Sequence, residues 1–117
     1  MYTPGQVIVG RLPFVDGSLS NYRRPYLIVS VDDAAKEIKV LVISTVLGKE
    51  HKLNYPANIP LQNAIPPLSR PSFVKVDSCL TVSFEDALRN TKLLNNGLVS
   101  FEDMRNICNA LAAHGST

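Results

Sequence analysis

The stretch Pro25-Tyr26-Leu27-Ile28-Val29-Ser30-Val31-Asp32-Asp33-Ala34-Ala35-Lys36-Glu37-Ile38-Lys39-Val40-Leu41-Val42-Ile43-Ser44-Thr45-Val46 decides the fold. Its first seven residues form a largely apolar run rich in β-branched side chains, the composition of a buried strand. Asp32-Asp33-Ala34-Ala35 reads as a turn, and residues 36–46 return as its hairpin partner. Along the return, Ile38, Val40, Val42 and Ser44 share one face, while Leu41, Ile43 and Thr45 occupy the other, because strand side chains alternate. Both faces carry apolar residues, so both are expected to be covered. That suits a small closed barrel or sandwich.

The flanking chain fits this centre. Gln6-Val7-Ile8-Val9-Gly10-Arg11-Leu12 partly alternates and reads as a strand with Val7, Val9 and Leu12 inward. Residues 13–24 follow as a polar, turn-rich loop. Five of the eight prolines (Pro56, Pro60, Pro66, Pro67 and Pro71) fall between residues 48 and 71, which forbids regular interior strands there. Residues 51–55 and 58–61 are expected as short edge strands. Alternation resumes over 72–82 with Phe73, Val74, Val76, Leu80 and Val82. The rear is helical and signposted twice: Ser83-Phe84-Glu85-Asp86 and Ser100-Phe101-Glu102-Asp103 each set a serine N-cap before acids in the first turn. The first helix should run to about residue 90 and the second to about 113. Phe101, Met104, Ile107, Cys108, Leu111 and Ala112 form an apolar stripe on the second, which should pack on the sheet. The fold class is mainly β with a C-terminal helix (α+β).

At 117 residues the chain has the size of one domain, and with 45% apolar residues it can bury a core, which excludes wholesale disorder. A net charge of +2 is far from that of a protein binding nucleic acid by bulk charge. No apolar run nears the ~20 residues of a membrane span, and the N-terminus shows no signal peptide, so a cytoplasmic protein is expected. Cys79 and Cys108 lack CxxC spacing and are expected in the core. His51 and His114 stand alone, so no metal and no cofactor is expected. The small total conceals a division: residues 1–75 hold nine Lys/Arg against five Asp/Glu, a balance of +4, and residues 76–117 hold three against five, a balance of −2. A basic front half suits an anionic ligand, and equally a chance distribution of solvated charge.

Polar residues gather where strands begin and end: Arg23-Arg24-Pro25, Ser44-Thr45 and Lys75-Val76-Asp77-Ser78. Two apart on a strand, Lys75 and Asp77 would share a face. As an exposed ion pair they would contribute little. Beside an arginine and a hydroxyl they could instead cleave a phosphodiester, the carboxylate taking a ribose 2′-hydroxyl proton and the cations stabilising the phosphorane. Spacing alone leaves both readings open.

Several segments together resemble the MazF/PemK toxins of bacterial type II toxin–antitoxin systems. They are Pro4-Gly5-Gln6-Val7-Ile8-Val9, the loop containing Pro13-Phe14, Arg23-Arg24-Pro25-Tyr26-Leu27-Ile28-Val29-Ser30, Val42-Ile43-Ser44-Thr45, and Ser72-Phe73-Val74-Lys75-Val76-Asp77-Ser78-Cys79-Leu80-Thr81-Val82. Order and spacing match over most of the chain. The resemblance implies one such domain over residues 1–117, a small, strongly twisted SH3-like/PemK-type barrel with short helices packed on it. It also implies a homodimer. The implied activity is metal-independent, sequence-preferring cleavage of single-stranded RNA, restrained by a cognate antitoxin.

Residue by residue, Arg24 matches the arginine that contacts the scissile phosphate, and Ser44, or else Thr45, the catalytic hydroxyl. Asp77 falls where some members place the general base, and Lys75 where those members carry an arginine acid. Phe14, Asn21, Tyr22 and Arg23 are candidate RNA contacts, the aromatics by stacking on bases. Two features depart from the pattern. Lys75 keeps the charge but lacks the bidentate fork, and the Pro-rich segment 56–71 is longer than the usual loop. The alternative is an inactive barrel of the same fold that binds RNA or protein. A gyrase-poisoning branch of the fold family uses a C-terminal tryptophan, which this chain lacks.

Overall fold

In the computed structural model, residues 2–12, 23–62, 67–94 and 97–115 are described. Among these residues nine elements follow one another: β1 (Val7–Gly10), β2 (Arg24–Asp32), β3 (Glu37–Thr45), a 3-10 helix (Glu50–Asn54), β4 (Asn58–Pro60), β5 (Ser72–Ser83), α1 (Phe84–Asn90), β6 (Thr91–Leu93) and α2 (Phe101–Gly115). The strands make a six-stranded antiparallel sheet in the order β4-β5-β3-β2-β1-β6. The protein is thus mainly β with a C-terminal helix, as the alternation and the caps foretell.

The β2–β3 hairpin forms as read, closed by a turn in which Asp32 Oδ1 accepts from the Ala35 backbone N–H at 3.0 Å and Lys36 takes φ 56°. Tyr26, Ile28, Ile38 and Val40 enter one apolar cluster with Ile8, Leu12, Val82 and Ala87. Leu27, Leu41 and Ile43 enter a second with Val7, Val74, Val76 and Ile107. Both faces of the hairpin are therefore covered. Each fully buried aliphatic side chain contributes roughly 1.5–3 kcal/mol.

Four local expectations are corrected. In β1 it is Ile8 beside Val7 that is fully buried, while Val9 is half-buried, because a cluster covers each face of this strand. The tract read as an edge strand at 51–55 is instead the 3-10 helix with its C-cap Tyr55: Lys49 N–H reaches the Val46 carbonyl at 2.8 Å, Lys52 N–H the Lys49 carbonyl at 2.9 Å, and Tyr55 N–H the Lys52 carbonyl at 3.2 Å. The buried face of α2 is centred on Ile107, flanked by Asp103, Met104, Ala110 and Leu111. Phe101, Cys108 and Ala112 lie on a stripe turned about 100° away and are exposed. Cys79 is exposed as well, so neither cysteine is a core residue.

The caps hold as read. Ser83 Oγ accepts from the Asp86 N–H at 3.1 Å and Ser100 Oγ from the Asp103 N–H at 3.2 Å. Asp103, 1% exposed, also accepts the Gln62 N–H at 2.9 Å, which ties the start of α2 to the chain just after β4. No helix among the described residues is long and apolar enough to cross a membrane.

Strand β6, which the alternation does not announce, pairs Thr91 with Gly10, and Arg11 N–H donates to the Asn90 carbonyl at 3.2 Å. The end of α1 thereby lies directly on β1. A side chain at Gly10 would collide with the Asn90 carbonyl oxygen and stand 2.7 Å from Thr91 Cα. Gly10→Ala is therefore expected to cost about 1–3 kcal/mol by overpacking against backbone that cannot yield, lowering Tm by roughly 4–12 °C in thermal denaturation.

Candidate functional site

Two short rows of paired residues converge on the open end of β2 and β3. Thr91 of β6 faces Gly10 of β1, and Gly10 faces Arg24 of β2. The β2–β3 pairing ends with Tyr26 opposite Val42, and beyond it Arg24 and Ser44 line one pocket. Ser44 in turn faces Phe73 of β5, and Phe73 faces Pro60 of β4. Arg24 thus opens β2 as Ser44-Thr45 closes β3, and antiparallel pairing makes those two ends neighbours.

A pocket of about 370 Å³ opens at this end of the sheet, lined by Arg24, Ser44, Thr45, Lys49, Lys52 and Lys75, with Val42 and Ile43 as its strand wall. Lys75 reaches it from β5 at an interruption of the ladder. Ile43 faces Val74 and Leu41 faces Cys79, so four residues of β5, 75–78, stand opposite the single residue Val42. Within this bulge Ser78 Oγ donates to the Lys75 carbonyl at 2.8 Å, while Lys75 pairs with Asn58 of β4 on its other side. The alternation argument for Lys75 and Asp77 fails across such a bulge. Lys75 is half-buried and lines the pocket; Asp77 is exposed and outside the lining, yet near enough to act on the lysine's charge.

Lys49 and Lys52 come from the 3-10 helix and the turn that leads into it. Gly48, at φ 76°, turns the chain back immediately after β3. Lys49 Nζ consequently donates to Ser44 Oγ at 3.2 Å. The hydroxyl oxygen is occupied by the ammonium, so the Ser44 proton is left to point elsewhere as a donor. Sequence reasoning misses both lysines, because tract 51–55 reads as an edge strand; the signal available is Gly48-Lys49 directly behind a strand end.

Four cations, with no carboxylate among the described residues of the lining, repel one another. Burial first, then the charges of Lys52, Lys49 and Arg24, push the Lys75 ammonium below the ordinary lysine range, with Asp77 opposing. Such a cluster is stabilised by an anion, and its forked and ammonium donors suit the oxygens of a phosphodiester. Arg23, next to Arg24, is exposed and lines a different pocket beside α1 and β6. Tyr26 is buried in the core, and burial pushes its phenol up, opposed by a backbone hydrogen bond from Leu12 and the charge of Arg24. Phe14, Asn21 and Tyr22 lie outside the described residues. Among the described residues no group of three or more His, Cys, Asp or Glu is arranged to hold a metal ion.

Residues 3–114 match the family described as PemK-like, MazF-like toxin of type II toxin-antitoxin system. No curated protein matches the chain.

Removing one cation should relax the repulsion at Lys75. Lys52→Gln is expected to raise the Lys75 pKa toward the ordinary lysine value and to raise Tm by about 1–3 °C at low ionic strength, an effect that disappears near 1 M salt. Thermal denaturation at the two salt concentrations measures it.

Proposed function

The chain belongs to the PemK-like, MazF-like toxins of type II toxin–antitoxin systems, and on that premise we propose that it is a sequence-preferring endoribonuclease cutting single-stranded mRNA in the cytoplasm as a homodimer. Endoribonuclease activity is general to the family, and a type II toxin has an antitoxin as partner. The observation that carries the reading is the convergence of Arg24, Lys49, Lys52 and Lys75 on the Ser44-Thr45 strand end.

The proposed chemistry needs no group beyond the chain's own. The ribose 2′-oxygen attacks the adjacent phosphorus; the bond from phosphorus to the 5′-oxygen breaks as the new one forms, giving a 2′,3′-cyclic phosphate and a free 5′-hydroxyl. Negative charge grows on the non-bridging oxygens, where Arg24, Lys49 and Lys52 act most strongly, and preorganised donors of this kind are worth about 10²–10³ in rate each. Ser44, held by Lys49, turns its proton toward one of those oxygens. Asp77 accepts the 2′-hydroxyl proton once RNA is in place, since hydrogen bonds of catalysis tighten in the bound complex. Lys75 protonates the departing 5′-oxygen, and its lowered proton affinity suits a donor better than an arginine would.

The position of Asp77 outside the pocket lining favours a second reading, a member that binds RNA or protein without cutting. Long RNA incubated with the purified protein in EDTA distinguishes them. Discrete cuts are expected, slowed at least a hundredfold by Arg24→Ala; uncut RNA retained on the protein would support the binding module, and wild-type cutting by Arg24→Ala would defeat the mechanism.

The pH dependence follows from the sign of the lysine shift. A proton donor is lost as pH rises through its pKa, so kcat should fall on the alkaline side earlier than an ordinary lysine dictates. Lys75→Arg is expected to keep KM within about threefold, lower kcat about tenfold or more, and move that alkaline limb upward, because arginine surrenders its proton far less readily. Steady-state kinetics across pH measure all three.

A further inference from the structure

We infer that a second phosphate-binding subsite lies at the α1–β6 junction, where Arg23, Arg89 and Lys92 hold the RNA strand beyond the scissile phosphate. This rests on the endoribonuclease reading and adds to it a part of the substrate path that lies outside the Ser44-Thr45 pocket. The subsite is a pocket of about 300 Å³ lined by Arg23, Leu88, Arg89, Asn90 and Lys92, with Val9 and Thr91 at its strand wall. Among the described residues of its lining, the three that are charged are all cationic.

Strand pairing fixes where it stands relative to the first pocket. Arg24, in the first pocket, faces Gly10, and Gly10 faces Thr91 in the second, while Val9 faces Lys92. Consecutive residues Arg23 and Arg24 belong one to each pocket. From β3, which carries Ser44, to β6 is three strand spacings, about 14 Å. Val9 and Lys92 alternate onto the opposite face from Arg24, so one RNA molecule that engages both pockets passes around the end of the sheet at Arg23-Arg24.

The end of a helix ordinarily presents carbonyls that repel anions. Here two of them are occupied. The Thr91 N–H and hydroxyl both donate to the Ala87 carbonyl, and the Arg11 N–H takes the Asn90 carbonyl. Gly10 permits this closure, because only a residue without Cβ lets Asn90 lie on β1. The cations remain accessible. Arg23 and Lys92 are exposed, and Arg89 pairs with Glu85 at 2.6 Å, with side chains that are 65% and 76% exposed. An exposed pair of that kind contributes little, so a phosphate can displace the carboxylate. Exposed Leu88, 60% accessible beside the cations, offers an apolar surface for a ribose or base.

The test compares the shortest RNA that the protein cuts with the same RNA extended by roughly five nucleotides at each end. Wild type is expected to show a lower KM for the extended RNA. Arg89→Gln combined with Lys92→Gln is expected to raise that KM about tenfold with kcat unchanged, so that the advantage of length disappears. The salt dependence of binding should become shallower by about 0.7 log units per log unit of salt for each phosphate that the variant no longer neutralises. Glu85→Gln, which releases Arg89, is expected to lower the KM of the extended RNA. Equal KM for both lengths in wild type, or an undiminished length preference in the double variant, would overturn the subsite while cleavage left the endoribonuclease reading standing. Wild type that neither cuts nor retains RNA of any length would overturn both.

Discussion

Strand β3 is hydrogen-bonded along both sides, to β2 and to β5, and its side chains divide between two apolar clusters. A slip of one residue would exchange Ile38 and Val40 with Leu41 and Ile43, and would break both clusters at once. The register is therefore held by the burial of four large aliphatic side chains, an amount no surface interaction can outweigh. Because the register is held, the end of β3 is held: Ser44 pairs with Phe73 and shares a pocket with Arg24. The chemistry proposed at this end borrows its precision from the core.

The cations gathered there are brought by different devices, and each works against electrostatic repulsion. Arg24 is the first residue of β2, Lys75 sits at a bulge in β5, and Lys49 and Lys52 ride on the turn that Gly48 starts. A lysine whose proton affinity is lowered on folding is a cost to the folded state while it stays protonated. That cost disappears as pH rises through the folded-state pKa. It is also relieved when an anion arrives, so the repulsion built into the free protein becomes affinity for phosphate. The site is strained in its charges rather than in its backbone.

The hairpin, the two serine caps and the strand-end positions of Arg24 and Ser44 are legible in the sequence, because each rests on local rules: alternation, capping and the neighbourhood of antiparallel strand ends. What escapes depends on long-range packing. Lys49 and Lys52 stay hidden because the tract around His51-Lys52-Leu53-Asn54-Tyr55 alternates enough to pass for a strand, and only the hydrogen bonds after Gly48 make it a 3-10 helix. Strand β6 is three residues long and exists because β1 has a free edge for it. On α2, two apolar stripes 100° apart read as one in the sequence, and docking against the sheet selects the stripe of Ile107 over that of Phe101. The bulge that separates Lys75 from Asp77 leaves no mark in the alternation of residues 72–82.

The two cationic pockets also divide the labour of recognition. Lysines and arginines on phosphate oxygens give affinity and register but carry no information about sequence. Sequence preference has to come from contacts to base edges or from stacking, and among the described residues neither pocket lining contains an aromatic side chain. In the pockets, the groups suited to reading a base are the Ser44 and Thr45 hydroxyls and the Asn90 amide, each set next to cations that hold the backbone. A net charge of only +2 is consistent with this arrangement. With acids at the N-termini of both helices offsetting cations elsewhere, the attraction proposed for RNA is concentrated at two pockets, the one where β2 and β3 end and the one at the α1–β6 junction.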